Sequence, residues 1–265
     1  MWISKYVCLF LIYSFLGWIY ETVFCTIKDG KWENRGFLYG PVVPIYGTGA
    51  VAISVIVYFF AGQGITLSPW LVYVISVIGS AFLEYTTSWI MEKLFHALWW
   101  DYSHFPLNLH GRISLFTSLG FGAAGLLIVN VIGPFCEGLI DSIPAIIVEL
   151  LSLCMLFIFA VDITLTVTAL HNFDQIVIRT ENSFNNSMSN IVENIAQKTS
   201  QAKQGIITKS AGITDQISNM SKFARKTIHR VYIFRDKDKR AEADKNKLLS
   251  IIRRLGRKKD DNFDK

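Results

Sequence analysis

Five separate runs of about 20 mostly apolar residues, each the length an α-helix needs to cross a bilayer, constrain this chain more than any other feature. They cover 6–27, 41–61, 69–91, 113–133 and 144–170. Lipid offers no water to backbone polar groups, so each run must be helical to satisfy them internally. The predicted fold class is therefore all-α. Residues 1–170 form a polytopic membrane helix bundle of about five transmembrane helices. Residues 171–265 form a basic cytosolic tail that is helical or partly disordered. The first run reads as a retained helix rather than a cleaved leader. Its apolar stretch is too long, Glu21 interrupts its end, and no small-residue cleavage site follows.

Charge separates the two parts. Residues 1–170 carry six Lys and Arg against ten Asp and Glu, and the remainder carries twenty against eleven. Basic residues collect on the cytosolic side of a membrane. With the N-terminus outside, the outer segments carry only Lys5. The inner segments carry Lys28, Lys31, Arg35, Lys93, Arg112 and the whole tail. The expected arrangement is thus multi-pass in the cell membrane, N-terminus outside and C-terminus cytosolic. Cys8, Cys25, Cys136 and Cys154 lie in or beside apolar runs without close pairing, which points to small buried hydrophobes rather than a disulfide framework or metal knuckle.

Ionisable residues inside a span cost roughly 2.5–3.5 kcal/mol each on the insertion scale, and they face the bundle interior. Glu21, Glu84 and Asp162 are such residues, all in the inner halves of their helices. Each sits on a stripe of small or polar residues. Ser14, Gly17 and Trp18 accompany Glu21. Ser76, Ser80, Thr87 and Ser88 accompany Glu84, and Thr166 follows Asp162. The fourth run has Ser114, Ser118 and Gly122 at four-residue spacing. Small stripes let helices approach closely, so the three acids are expected to converge.

Two inner loops supply candidate partners. In the first, two prolines and three glycines between Gly36 and Gly47 forbid a regular helix entry. Pro44 suits the first turn of the second span. The free N–H groups there, with Arg35, suit a carboxylate or phosphate. The second loop, about 92–112, is aromatic and fits the membrane interface. Within it, Asp101, Asn108 and Arg112 could bond a ligand headgroup or lock the loop. His104 and His110 lack compact ligand spacing, so no metal site is assigned. The candidate binding residues are Glu21, Arg35, Glu84, Asp101, Asn108, Arg112 and Asp162, and the residues imply no cofactor.

Three motifs in order carry a resemblance: Tyr13-Ser14-Phe15-Leu16-Gly17-Trp18-Ile19-Tyr20-Glu21; Asn34-Arg35-Gly36-Phe37-Leu38 with Pro44-Ile45-Tyr46-Gly47; and Trp100-Asp101-Tyr102-Ser103 with Asn108 and Gly111-Arg112-Ile113. Over residues 5–170 the chain resembles the ABC-transporter type IV (CmpB-like) family of bacterial membrane proteins. The resemblance implies a permease-like membrane component. The chain encodes no nucleotide-binding motif: the nearest string, Gly205-Ile206-Ile207-Thr208-Lys209-Ser210, fails the P-loop pattern. If ATP drives this protein, a separate ATPase subunit must supply it.

In the tail, Phe184, Met188, Ile191, Ile195, Ala202, Ile206, Ile213, Ile217, Met220 and Ala224 recur at helical spacing, interrupted by Gly205 and Gly212. Near the end, Leu248, Leu249, Ile251, Ile252 and Leu255 alternate with Arg253, Arg254, Arg257, Lys258 and Lys259. A basic amphipathic helix of this kind suits anionic lipid headgroups of the inner leaflet. Nucleic acid is the less favoured partner.

Three functions fit these features. The first is a permease-like component of an ABC-type transporter with a polar site open to the cytosolic side. The alternative is an intramembrane enzyme or lipid-headgroup-binding protein at the inner leaflet, although no nucleophile–base pair can be named. The third is a membrane anchor or sensor acting through its tail.

Overall fold

The computed structural model describes residues 2–29, 36–195, 220, 222–235 and 239–260. The chain is mostly helical, with no closed sheet among the described residues. Five helical segments are long and apolar enough to cross a membrane: Trp2–Ile27, Pro44–Gly62, Pro69–Phe95, Leu115–Asp141 and Ala145–Phe173. The elements carrying them are α1 (Trp2–Asp29), α2 (Pro44–Gly62), α3 (Pro69–Phe95), α4 (Leu115–Leu127), α5 (Gly133–Asp141) and α6 (Ala145–Ile195). The fourth span is longer than the sequence reading of 113–133, because the chain stays helical through Gly133 and Pro134. It does so through a π-helical turn, Ile128–Ile132, in which Gly133 N–H bonds back to Ile128 O. Pro134 has no N–H and would clash with the carbonyl four residues earlier. One wider turn absorbs the mismatch without ending the helix.

The chain divides into two compact units, residues 1–94 with 98–164, and residues 95–97 with 165–265. In the first unit, Cys8, Leu9, Tyr13, Ala50, Cys136, Ile140 and Val148 form the buried core. Large apolar side chains elsewhere point outward, such as Trp70 at 73%, Phe82 at 71% and Phe157 at 71% exposure. A water-soluble fold would hide such a surface. Here it matches the hydrocarbon that the spans are built for.

Several span hydroxyls are satisfied locally, whereas those of Tyr13, Thr22 and Ser76 are buried without a hydrogen-bond partner among the described residues. Ser14, Ser54, Thr86 and Thr164 each donate to the carbonyl four residues earlier, at 2.7–2.9 Å. Back-bonding of this kind lets a polar residue sit in lipid without an interhelical partner. Close packing uses the glycines instead. Gly17 lies against Tyr46, and Gly47 lies against Ser14 Oγ and Phe10 O, which seats α1 on α2. Gly122 faces Tyr73 and Val77, and Gly125 faces Ser76, so the stripe on α4 meets α3. Tyr73 OH completes that seam by donating to Leu119 O at 3.2 Å.

The second unit holds the continuation of α6 together with α7 (Lys222–His229), a two-residue strand (Ile233–Phe234) and α8 (Lys239–Asp260). Phe173 stacks on Phe234 with ring centroids 5.1 Å apart. Asn246 brackets Phe234, accepting from its N–H at 2.8 Å and donating to its carbonyl at 2.9 Å. Leu248, Leu249 and Ile252 are buried, and Arg253 donates to Val231 O and Tyr232 O. The apolar face that the sequence reading placed on the inner leaflet therefore packs inside this unit. The basic side chains of Arg254, Arg257, Lys258 and Lys259 lie outside the described side chains, as does the 196–219 part of the apolar repeat.

A Cβ at Gly47 would collide with Ser14 and Phe10, whereas one at Gly79 meets nothing within 4 Å. Gly47→Ala should lower stability by about 1–3 kcal/mol. Gly79→Ala, mid-helix and uncrowded, should raise it by about 0.5–1 kcal/mol. Unfolding midpoints in mixed detergent and SDS measure both, and equal midpoints would contradict this account of the α1–α2 seam.

Candidate functional site

At the end of the bundle bearing the two longer loops, the chain gathers most of its intramembrane charge. Glu84 on α3 is buried, with only 5% exposure. Its Oε1 accepts a hydrogen bond from Tyr102 OH of the second loop at 3.2 Å. Its Oε2 is buried with no hydrogen-bond partner. Glu21 on α1 lies within electrostatic reach of Glu84, and both act on the Tyr46 and Tyr102 phenols, as does Tyr20. The Tyr20 and Tyr46 rings meet edge to face at 6.2 Å, and Tyr46 leans on Phe121 at 5.9 Å. Two of the three predicted acids are thus brought together, with phenols around them.

Asp162 serves differently. Its two oxygens accept from Tyr39 N–H at 2.9 Å and Gly40 N–H at 2.8 Å. These amides belong to the loop ahead of α2, not to the helix-start N–H groups that the sequence reading offers to an external anion. Gly40 is required here, since a Cβ would stand 2.8 Å from Asp162 Oδ2. The rest of the loop is equally committed. Val43 N–H bonds Ser14 O at 3.0 Å, Leu38 is fully buried, and Phe37 packs edge-on against Trp99 of the second loop at 5.4 Å. Pro44 opens α2 as expected, after Val43 in an extended conformation. Arg35 lies outside the described residues.

Arg112 returns to α3 from the second loop. It forms an ion pair with Glu92, donates to Ser88 Oγ at 3.3 Å, and lies 5.6 Å over the Tyr85 ring. Its carbonyl accepts from Trp100 Nε1 at 2.9 Å. Asp101 and Asn108 bond the loop itself. Asp101 Oδ1 takes Ser103 N–H at 2.9 Å. Asn108 donates to Ser103 O and Phe105 O and accepts from Gly111 N–H at 3.1 Å. Gly111, at φ +68° and with Asp101 Oδ1 where a Cβ would stand, closes the turn. A two-residue antiparallel pairing of Asn108 with Ser114 and Leu109 with Ile113 anchors it to the start of α4. His110 lies 3.4 Å from Tyr85 OH through Nδ1. Among the described residues, no group of three His, Cys, Asp or Glu could hold a metal ion.

Glu92, Tyr46, Tyr85 and Tyr102 escaped the sequence reading. Glu92 stands eight residues after Glu84 on the same face, but an acid at the end of a span carries little cost and so little signal. The tyrosines read as interfacial aromatics, and only the fold aims Tyr102 at a carboxylate.

Residues 8–167, more than half of the chain, match the family model described as "Putative ABC-transporter type IV". The chain belongs to that family. No curated protein and no solved structure matches it. The type IV family match begins within the first membrane helix and ends within the fifth, and it takes in both loops and every residue of the cluster around Glu84.

Two predictions follow from these bonds. Asp162→Asn leaves one amide facing an –NH2 donor. It should cost about 1.5–3 kcal/mol, the worth of a hydrogen bond to a charged group, and speed hydrogen exchange at Tyr39 and Gly40. Unchanged exchange there would show that the carboxylate does not hold the loop. Burial, then the Glu84 charge and hydrogen bond, and then Glu21 push the Tyr102 phenol well above its ordinary value of 10.0. The neutral phenol is therefore favoured in the fold. Its contribution is complete below about pH 10 and is lost as pH rises through the higher folded value. The alkaline fall in unfolding midpoint should be shallower in Tyr102→Phe than in the parent chain, and parallel curves would exclude this role.

Proposed function

We propose that this member of the type IV family is the permease-like component of a transporter, with its substrate-contact site around Glu84 and Glu21. In this reading the loop-bearing end faces the cytosol, the N-terminus lies outside the cell membrane, and a separate ATPase subunit supplies the energy. The family match supports a transporter-like role for the membrane bundle. The single observation that carries the site is Glu84: a carboxylate inside a span, buried, with one oxygen held and the other unmet. Asp162, by contrast, has both its oxygens engaged by backbone amides. An intramembrane ionisable residue that is only half satisfied is characteristic of a substrate or ion pathway.

The lipid-headgroup reading draws less support, because Asp101 and Asn108 direct their polar atoms to their own loop. Arg112 likewise has Glu92 and Ser88.

Purification of the full chain from its native membrane in mild detergent tests the proposal. An ATPase should accompany it, and Glu84→Gln should cut the ATP hydrolysis of that complex by about tenfold or more, the scale of losing a charged hydrogen bond. The yield of folded chain should not change. A complex without ATPase, or hydrolysis indifferent to Glu84→Gln, would overturn the reading. Impermeant thiol reagents should label a Tyr102→Cys variant in inside-out vesicles and not in intact cells. The reverse pattern would overturn the orientation.

A further inference from the structure

We infer that the Glu84 and Glu21 carboxylates, with the phenols of Tyr20, Tyr46 and Tyr102 about them, form a binding site for a primary ammonium group, the charged head of a small amine. This rests on the proposed reading of the same cluster as the substrate-contact site, and it names the chemistry of the substrate.

Two acids alone would not make a site. Glu84 Oε2 does, because it is a buried acceptor without a hydrogen-bond partner among the described residues, on a residue only 5% exposed. Leaving such a group unsatisfied is costly, so the missing partner must be a hydrogen-bond donor. Glu84 Oε1 already has the Tyr102 hydroxyl at 3.2 Å. Glu84 is itself an ionisable carboxyl group, so a charged donor is favoured over a neutral one. A protonated amine meets both demands, with N–H groups for Oε2 and a charge opposite to that of the Glu84 carboxylate.

Other ligand classes fit worse. An anion would face two carboxylates. A quaternary ammonium has no N–H and would leave Oε2 as it stands. A hard divalent cation needs a shell of oxygen ligands, and no third acid, histidine or cysteine joins the pair among the described residues. The aromatic surroundings favour the organic cation. Tyr20 and Tyr46 meet at 6.2 Å at a 66° tilt, and ring faces attract ammonium groups.

The test uses the full chain in lipid nanodiscs, with unfolding followed by tryptophan fluorescence. Methylammonium chloride is compared with tetramethylammonium chloride and sodium chloride at equal ionic strength. Methylammonium should raise the unfolding midpoint saturably, as a ligand of the folded state does, and the other two salts should not. Glu84→Gln should abolish the shift. An equal shift from tetramethylammonium or sodium, no shift at all, or a shift that survives in Glu84→Gln would overturn the inference. Should Glu84→Gln fail to fold, the unmodified chain still decides. Methylammonium, and not tetramethylammonium, should slow carbodiimide modification of Glu84, located by peptide mass. Equal rates would overturn the site. The two levels fail separately. Methylammonium binding without a partner ATPase would sink the transporter reading alone. A Glu84-dependent ATPase indifferent to methylammonium would sink the ammonium assignment alone.

Discussion

The bilayer interior withholds water from every polar group that enters it, and each such group must find its partner within the protein. Most of what is specific in this structure answers that demand. The hydroxyls of Ser14, Ser54, Thr86 and Thr164 turn back to their own helix carbonyls. Asp162 is held by two backbone amides of an irregular loop, which would otherwise be the least tolerable kind of chain at a membrane surface. Charge and loop solve each other's problem. The carboxylate gains two donors, and the loop, unable to be helical because of its prolines and glycines, gains an anchor on a different helix.

The second loop follows the same logic with opposite sign. Arg112 supplies the positive charge and α3 supplies Glu92, Ser88 and the face of Tyr85. Asp101 and Asn108 fold the intervening segment onto itself. The first loop is thus tied to α6 and the second to α3, and they touch through Phe37 and Trp99. Glu84 lies under the second of these covers, reached by the Tyr102 hydroxyl. A loop that is internally rigid and anchored at both ends can hold one phenol against one carboxylate. A slack loop could not.

The spans were legible because each is a long apolar run whose length is set by the bilayer. The stripes were legible because small residues at helical spacing have few other uses in lipid, and Gly122 and Ser76 do lie in the α3–α4 seam. The meeting of Glu21 and Glu84 was readable from the same spacing. The use of Asp162 was not, since backbone amides leave no residue type to recognise and their donors lie 122 and 123 positions away. Nor could the sequence separate a basic amphipathic helix bound for lipid from one that packs internally. Leu248, Leu249 and Ile252 give the same pattern in either case, and Phe173, Val231 and Phe234, which share their burial, are scattered along the chain. The length of the fourth span was hidden by Gly133-Pro134, which ordinarily marks a helix end and here sits behind a π-helical turn.

The two ends of the bundle differ in how their charges are settled. Where α1 begins and α5 ends, Lys5 lies 2.9 Å from Asp141 and 3.4 Å from Glu137, and Tyr58 OH donates to Glu137 at 2.7 Å. Each acid there has a cation or a donor from another helix, and the interaction draws the helix ends together. At the loop-bearing end, Glu84 has a phenol on one oxygen and nothing on the other. A bundle held together only for stability would gain by filling that position with a serine, a threonine or a second amide, all of which this chain uses freely elsewhere. Keeping a carboxylate there, at a cost of roughly 2.5–3.5 kcal/mol on the insertion scale, makes physical sense if a group from outside the chain completes it. The contrast between carboxylates met by cations or donors at one end and a buried carboxylate oxygen without a hydrogen-bond partner at the other is the reason to look for a ligand beside Glu84 and not beside Glu137.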